Sequence, residues 1–280
     1  MAQTPIDDER QRLRRHFEIE SELADRLRRA TKIERKTLYK EVYGELFRRV
    51  ELPGNVDAQK AQVGLLLQLV EPFLTQSTAF LEIGAGSCDL SLALAARLQR
   101  VWAVDAIDPI VDPKRAPESF SFVSDDDFAG VVPAGSVDLA LSCHFVEHLH
   151  PDDLRDHLAA VHGKLVVGGV YVVVTPNRLY GPHDISKHFS DVPVGFHLRE
   201  YTHFELAAEF EAAGFESVRV IGRIGAAPTA GTRRMVAAAE RMLGAVPVSV
   251  RRAILRHAPR QEPFRPLEQV KVIGLKAADC

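Results

Sequence analysis

FLEIGAGSCDLSLALA, residues 80–95, passes from an apolar run through a glycine turn into the start of a helix. The run AFLEI at 79–83 ends at Gly84 and Gly86, and glycine between a strand and a helix lets backbone amides approach a ligand closely. A dinucleotide fingerprint needs a third glycine at position 89, where helix packing and the pyrophosphate demand one, but the chain has Asp89. That weakens an NAD reading and leaves a nucleotide or nucleoside. Asp105 closes the next apolar run about twenty residues on, where a carboxylate can accept both hydrogen bonds of a ribose diol. A lone GxG turn is often only a tight connection, and a strand-end Asp only a cap. Together they are more specific.

Outward from this stretch, strands and helices alternate. Apolar runs predict strands near 101–105 (VWAVD), 120–123, 137–142 (VDLALS) and 169–175 (GVYVVVT), suited to a sheet covered on both faces. Such alternation implies a doubly wound parallel sheet of the Rossmann type. Before it, residues 7–50 repeat apolar positions Leu38, Val42, Leu46 and Val50 every fourth residue, as a helix packing one face requires. LPGN at 52–55 breaks this helical extension, residues 1–55, and AQKAQVGLLLQLVEPF begins a second helix leading into the first strand. Pro151 is placed to open the helix PDDLRDHLAAVHG, with Leu154, Leu158 and Val161 as its buried stripe. A long connection at 176–202 then precedes the helix HFELAAEFEAAG, and its length reads as a lid. The chain closes with a strand at 216–223, an arginine-rich helical insert over 231–260 and a last strand in QVKVIGLKA, within one main domain spanning 56–280.

Composition removes several classes. A net charge of −3 gives no global attraction to nucleic acid or membrane. Only Cys88, Cys143 and Cys280 are present, without a CxxC pair, which argues against a disulfide framework and fits a reducing cytoplasm. The longest apolar stretch, LVVGGVYVVV, is too short to span a bilayer, and the first twenty residues lack an apolar signal core.

CHFVEHLHP at 143–151 places three histidines within seven residues. His144, Glu147 and His148 spell HxxEH, the zinc-helix pattern of inverted metalloproteases. Those enzymes need both histidines on one long helix, whereas Pro151 ends any helical turn that holds His144 and His148. The protease reading fails on context.

Four segments in order, EIGAG, VDAID, SDDDF and VDLALSCHFVEHL, resemble the successive motifs of class I S-adenosylmethionine-dependent methyltransferases, over roughly residues 78–223 with the final strand at 269–277. The resemblance implies a seven-stranded sheet whose last strand is antiparallel. It places Gly84 and Gly86 under the methionine part of the cofactor, Asp105 on the ribose and Asp126 at adenine N6, with Glu82, Ala85 and Ala106 also among the cofactor-binding residues. Ser142 and Cys143 would line the methionine moiety, and LYKEVYGELF resembles an aromatic cover through which Tyr39 or Tyr43 closes over it. Core packing is the alternative for both tyrosines.

For the histidines, two readings follow. In one, Glu147 and His148 only hydrogen-bond the turn and orient the cofactor pocket. In the other, a divalent metal is bound. In ubiquinone-pathway O-methyltransferases and small-RNA 3′-terminal 2′-O-methyltransferases an ExxEH stretch here supplies ligands, and TPNRLYG and HLREYT are similar to segments of the RNA enzymes. The match implies a site of His144, Glu147, His148 and His197. With His144 in place of the first glutamate, preference shifts from Mg²⁺ toward Zn²⁺, Fe²⁺, Ni²⁺ or Mn²⁺. Methyl transfer is an in-line displacement, so the protein holds the nucleophile and removes its proton. His144, His148 and His197 are the leading bases, with His183, Asp184 and His188 as further candidates, while His150, His157 and His162 are read as capping or helix-surface residues.

Arg233, Arg234, Arg241, Arg251, Arg252, Arg256 and Arg260 give the insert a basic face suited to a sugar phosphate, acidic glycan or lipid headgroup, or else merely solvated. The expectation is a cytoplasmic O-methyltransferase, monomer or homodimer, acting on a small-molecule or glycan-type hydroxyl. Methylation of an RNA 3′ end is a second reading, opposed by the acidic balance and the lack of a basic, aromatic platform. A non-catalytic subunit that binds the cofactor is a third.

Overall fold

The computed structural model describes residues 5–50, 56–107, 116–123, 130–221, 230–257 and 267–278. Its centre is a seven-stranded sheet of order β3-β2-β1-β4-β5-β7-β6. The strands are β1 (Ala79–Ile83), β2 (Arg100–Val104), β3 (Phe120–Val123), β4 (Val137–Cys143), β5 (Leu165–Pro176), β6 (Ser217–Val220) and β7 (Gln269–Leu275). β7 runs antiparallel to both β5 and β6, and the other pairs are parallel. The expected Rossmann-like arrangement with an antiparallel last strand is therefore present.

The sheet is covered on both faces because its strands are apolar on both. Leu81, Ile83, Ala140, Tyr171, Val173 and Val272 face one core with Leu154, Leu158, Leu206 and Phe210. Phe80, Leu139, Leu141, Val172 and Ile273 face the other with Leu66, Leu69, Leu90 and Leu94. The helices on this second side are α3 (Val56–Val70) and α4 (Asp89–Ala95), and those on the first are α5 (Leu154–Lys164) and α6 (His203–Ala212). β5 begins four residues before its predicted start, because Gly168 takes a left-handed φ of 83° and lets the strand continue past a register shift opposite Val137 and Leu139. α5 starts three residues after Pro151. Asp153 N–H closes a turn on His150 O at 2.8 Å, and the Asp153 carboxylate is taken by Arg35 rather than by the helix end.

The expected helix over 7–50 is two: α1 (Pro5–Arg29) and α2 (Lys32–Arg49). Thr31 caps α2 in a capping box with Glu34, which ends one helix and begins the next. The two helices pack through Ile19, Leu23, Leu27, Val42 and Leu46, with Phe196 completing the cluster. The connection at 176–202 carries a short 3₁₀ turn at Ile185–His188 and folds against α1. Phe196 N–H donates to Glu20 Oε1 at 2.9 Å, and Arg28 donates to the carbonyls of Val194 and Gly195, each at 2.8 Å. The insert forms α7 (Ala230–Ala245) and α8 (Val248–His257); residues 258–260 of the predicted insert lie outside the described residues. Among the described residues no helix is long and apolar enough to cross a membrane.

Candidate active site

At the C-terminal ends of β1, β2 and β4 lies a cavity of about 940 Å³, closed from above by α2. Gly84, Gly86, Ser87, Asp105, Ala106 and Ile107 form its floor. Gly84 has φ 71° and a Cβ there would meet the Phe145 ring at 2.7 Å, so glycine is required both by the turn and by the close approach. Gly86 has φ 50°, and a Cβ at that position would meet nothing within 4 Å, so the space over its backbone is open to a ligand. The Asp105 carboxylate is held by two amides: Gly86 N–H donates to Oδ2 at 2.8 Å and Ile107 N–H to Oδ1 at 3.0 Å. A carboxylate fixed in this way keeps further lone pairs for a diol.

Of the residues expected to contact a cofactor, Gly84, Gly86, Asp105, Ala106 and Tyr43 line the cavity. Glu82, Ala85, Ser142 and Cys143 do not line it. Glu82 accepts from Ser91 N–H at 3.1 Å and Ser91 Oγ at 2.5 Å, and burial pushes its carboxyl up to about 7 against those hydrogen bonds. Ser142 is fully buried with its Oγ 2.9 Å from the Tyr171 hydroxyl, and Cys143 Sγ accepts from Gln62 at 3.3 Å. Asp126 lies outside the described residues.

The histidine turn stands at the other end of the cavity. His144 has φ 53°, one of two non-glycine residues in the left-handed region among the described residues, and its side chain is 38% exposed. Its Nδ1 sits 3.2 Å from Glu147 Oε1, which directs Nε2 away from the carboxylate. Glu147 is fully buried and also accepts from Thr175 Oγ1 at 2.8 Å. Burial opposes its ionisation, but the hydrogen bond from His144 and the nearby imidazoles of His148, His144 and His197 outweigh it and hold the carboxyl at about 2.

Three of the four expected ligands converge. Glu147, His148 and His197 each offer a ligand atom within 4.8 Å of the others; His144 is not in that group, its Nδ1 being turned to Glu147. His148 Nδ1 is 3.1 Å from Phe196 O, and His197 Nδ1 is 2.7 Å from Glu200 Oε1. Both hydrogen bonds fix the ring and leave Nε2 as the available nitrogen. Burial lowers the His148 pKa below the ordinary imidazole value. Glu200, not singled out from sequence, also binds His183 through N–H at 2.7 Å and Nδ1 at 3.2 Å. His183 is thus tied into the loop, Asp184 accepts from Ser186 N–H at 3.0 Å within its own turn, and His188 is exposed and not part of the cavity wall.

His157 corrects the helix-surface reading. It lines the cavity from α5, and its Nε2 is 3.0 Å from the Tyr171 hydroxyl, which continues to Ser142. Desolvation lowers its pKa to about 4, so the ring is neutral at pH 7. Its place three residues after Leu154 sets it beside the buried stripe of Leu154, Leu158 and Val161, where it reaches the buried Tyr171 instead of solvent. α2 is pinned over the same cavity by a bidentate Arg35–Asp153 pair at 2.6 and 2.7 Å, by Lys32 with Asp156, and by the Tyr39 hydroxyl, which accepts from His150 N–H at 2.7 Å. Tyr43 stacks on Phe196 with ring centroids 4.7 Å apart and meets His148 edge-on at 6.0 Å.

A family model describing a methyltransferase domain matches residues 55–220, more than half of the chain and all of the glycine turn, Asp105 and the histidine turn. The chain belongs to the methyltransferase-domain family. It is a class I methyltransferase whose methyl donor is S-adenosylmethionine. No curated protein matches the sequence of this methyltransferase. Among solved structures it is similar to an S-adenosylmethionine-dependent methyltransferase from Archaeoglobus fulgidus, with 18% identity and a TM-score of 0.52 over 85% of this chain and 100% of that one. A chain from the Haloferax volcanii complex of the Trm112 methyltransferase activator with a putative methyltransferase gives 15% and 0.51 over 80% and 95%. Phosphoethanolamine N-methyltransferase 2 of Haemonchus contortus, solved with phosphomonomethylethanolamine and S-adenosylhomocysteine, gives 15% and 0.50 over 91% and 60%. At these identities the likeness is one of fold.

Proposed function

We propose that this methyltransferase transfers its methyl group to a hydroxyl of a small-molecule or glycan-type acceptor, with His144 as the general base. The observation that carries the reading is the pairing of a cavity-facing imidazole with a buried, ionised carboxylate. A hydroxyl must lose its proton as it attacks, and an imidazole whose Nδ1 is fixed by Glu147 presents Nε2 as the acceptor. The cavity, about 940 Å³, lies at the upper end of the ~300–1,000 Å³ of small-molecule pockets and has room for a nucleoside with a small acceptor beside it. Lys32, Lys36, Tyr39 and Phe47 of α2 line its outer part and shape acceptor choice; the expected lid at 176–202 supplies no lining residue and acts on the cavity through Phe196, which stacks on Tyr43 and holds His148.

The convergence of Glu147, His148 and His197 favours a second reading, in which a divalent cation assists. The donor set fits one: two imidazoles with Nε2 available and one ionised carboxylate, a combination suited to Zn²⁺, Fe²⁺, Ni²⁺ or Mn²⁺ more than to Mg²⁺. When bound, such an ion would lower the pKa of the acceptor hydroxyl. Glu147, His148 and His197 would hold it, and Glu200 and the Phe196 carbonyl would orient the two rings.

The test is a screen of hydroxylated and amine acceptors for S-adenosylhomocysteine release, with and without chelator. Turnover on a hydroxyl acceptor that survives chelation is the expected result for His144 acting alone. Activity lost to chelator and restored by Mn²⁺ or Zn²⁺ selects the cation-assisted reading. Turnover confined to amines contradicts O-methylation.

A further inference from the structure

We propose that the outward face of α7 is a docking surface for an anionic membrane. Residues 230–257 hold six arginines against one glutamate, a net charge of +5 in a chain whose total is −3. That single acid, Glu240, faces inward: its Oε1 accepts from His203 N–H at 2.9 Å and from Asn177 Nδ2 at 3.1 Å, and lies 2.8 Å from His203 Nδ1. Together with buried Val236, it fixes which side of α7 meets the domain.

The opposite side is apolar with a basic edge. Met235 and Met242 are 74% and 67% exposed, and Ala238 and Ala245 are exposed between and beyond them. Positions 235, 238, 242 and 245 recur at helical spacing and form one stripe. Arg234 and Arg241, seven residues apart, run along its border, and among the described residues no carboxylate pairs with either. Arg233, by contrast, is drawn back to Glu211 at 3.7 Å and lies over Phe204. Val250, on α8, is 49% exposed.

The chemistry of this face selects among partners. Nucleic acid would use the arginines but not the methionines, and residues 230–257 contain no Phe, Tyr or Trp on which a base could stack. A second copy would bring a like-charged insert against this one. A helix that lies in a lipid interface uses both features at once: apolar side chains enter the acyl boundary while arginines meet anionic headgroups. The two small alanines keep the stripe low between the methionines, which suits a plane better than a groove-seeking peptide.

The experiment is vesicle flotation of the full chain, using phosphatidylcholine alone or mixed with phosphatidylglycerol, at low and high salt. Binding to the mixed vesicles only, weakened by salt, is expected. Arg234→Gln with Arg241→Gln should weaken it about thirtyfold, since each basic residue near the surface contributes about 1 kcal/mol. Met235→Ser with Met242→Ser should weaken it about tenfold through lost apolar burial. Both double variants should keep wild-type cofactor binding and melting temperature, because none of the four side chains touches the cavity. No flotation of the wild type overturns the proposal, as does flotation unchanged in either double variant. Self-association lost in the methionine variant without vesicle binding, or binding to RNA or polyaspartate that replaces vesicle binding, overturns it in favour of those partners.

Discussion

His144→Ala is expected to lower turnover by about 10²–10⁴-fold, the usual contribution of a positioned general base, with little change in cofactor affinity. The imidazole stands on a left-handed backbone at φ 53°, a conformation that costs a non-glycine residue free energy and persists only where the surroundings impose it. Alanine keeps that backbone cost, so the variant removes the ring and its bond to Glu147 and leaves the turn otherwise in place. Strongly reduced turnover at saturating cofactor, with calorimetric affinity for S-adenosylhomocysteine retained, is the expected pair of results. Affinity and rate falling together would instead make His144 part of the cofactor grip, and an unchanged rate would remove it from the chemistry. Glu147→Gln is the companion: an amide in the buried position no longer selects the Nδ1–H tautomer, so turnover should fall while the cavity keeps its shape.

Asp105→Ala is expected to weaken cofactor binding by about 10²-fold or more. Two hydrogen bonds from a ribose diol to a carboxylate contribute about 1.5–3 kcal/mol each, and either one lost is tenfold or more in the dissociation constant. The side chain also organises the floor, since Gly86 N–H and Ile107 N–H both donate to it. Asparagine should not rescue it well, because its amide nitrogen would face one of those two backbone donors. The defect should lie in affinity, so raising the cofactor concentration recovers much of the rate. A rate defect that saturating cofactor leaves untouched would assign Asp105 to the reaction and not to the sugar.

The sheet was legible because its strands are buried on both faces and so read as apolar runs, and because Gly84, Gly86 and Asp105 keep a fixed spacing around one turn. The break between α1 and α2 was also written in the chain, as Thr31 and Glu34 of a capping box; the apolar repeat from Leu38 to Val50 belongs to α2 alone and says nothing of residues 7–31. His144, Glu147 and His148 are neighbours in sequence; Glu147 and His148 offer their ligand atoms to one centre, while His144 pairs with Glu147 from outside it. His197 joins them only because the 176–202 segment folds back onto α1, a contact made by Glu20 and Arg28 that no local pattern contains. His197 was named through the resemblance of HLREYT, whereas Glu200 in the same stretch escaped notice: it holds His183 and His197, and neither pairing exists outside the folded loop. His157 was read as a surface residue although it stands three residues after Leu154, on the flank of the buried stripe, and only the folded sheet supplies the Tyr171 hydroxyl that it meets.

Titration calorimetry with S-adenosylmethionine and S-adenosylhomocysteine tests the central claim most directly. A folded sample should give saturable one-site heat with both ligands, and the Asp105→Ala variant should give little or none at the same concentrations. Absence of heat from the wild type with either ligand would contradict a nucleoside cofactor seated on Gly84, Gly86 and Asp105.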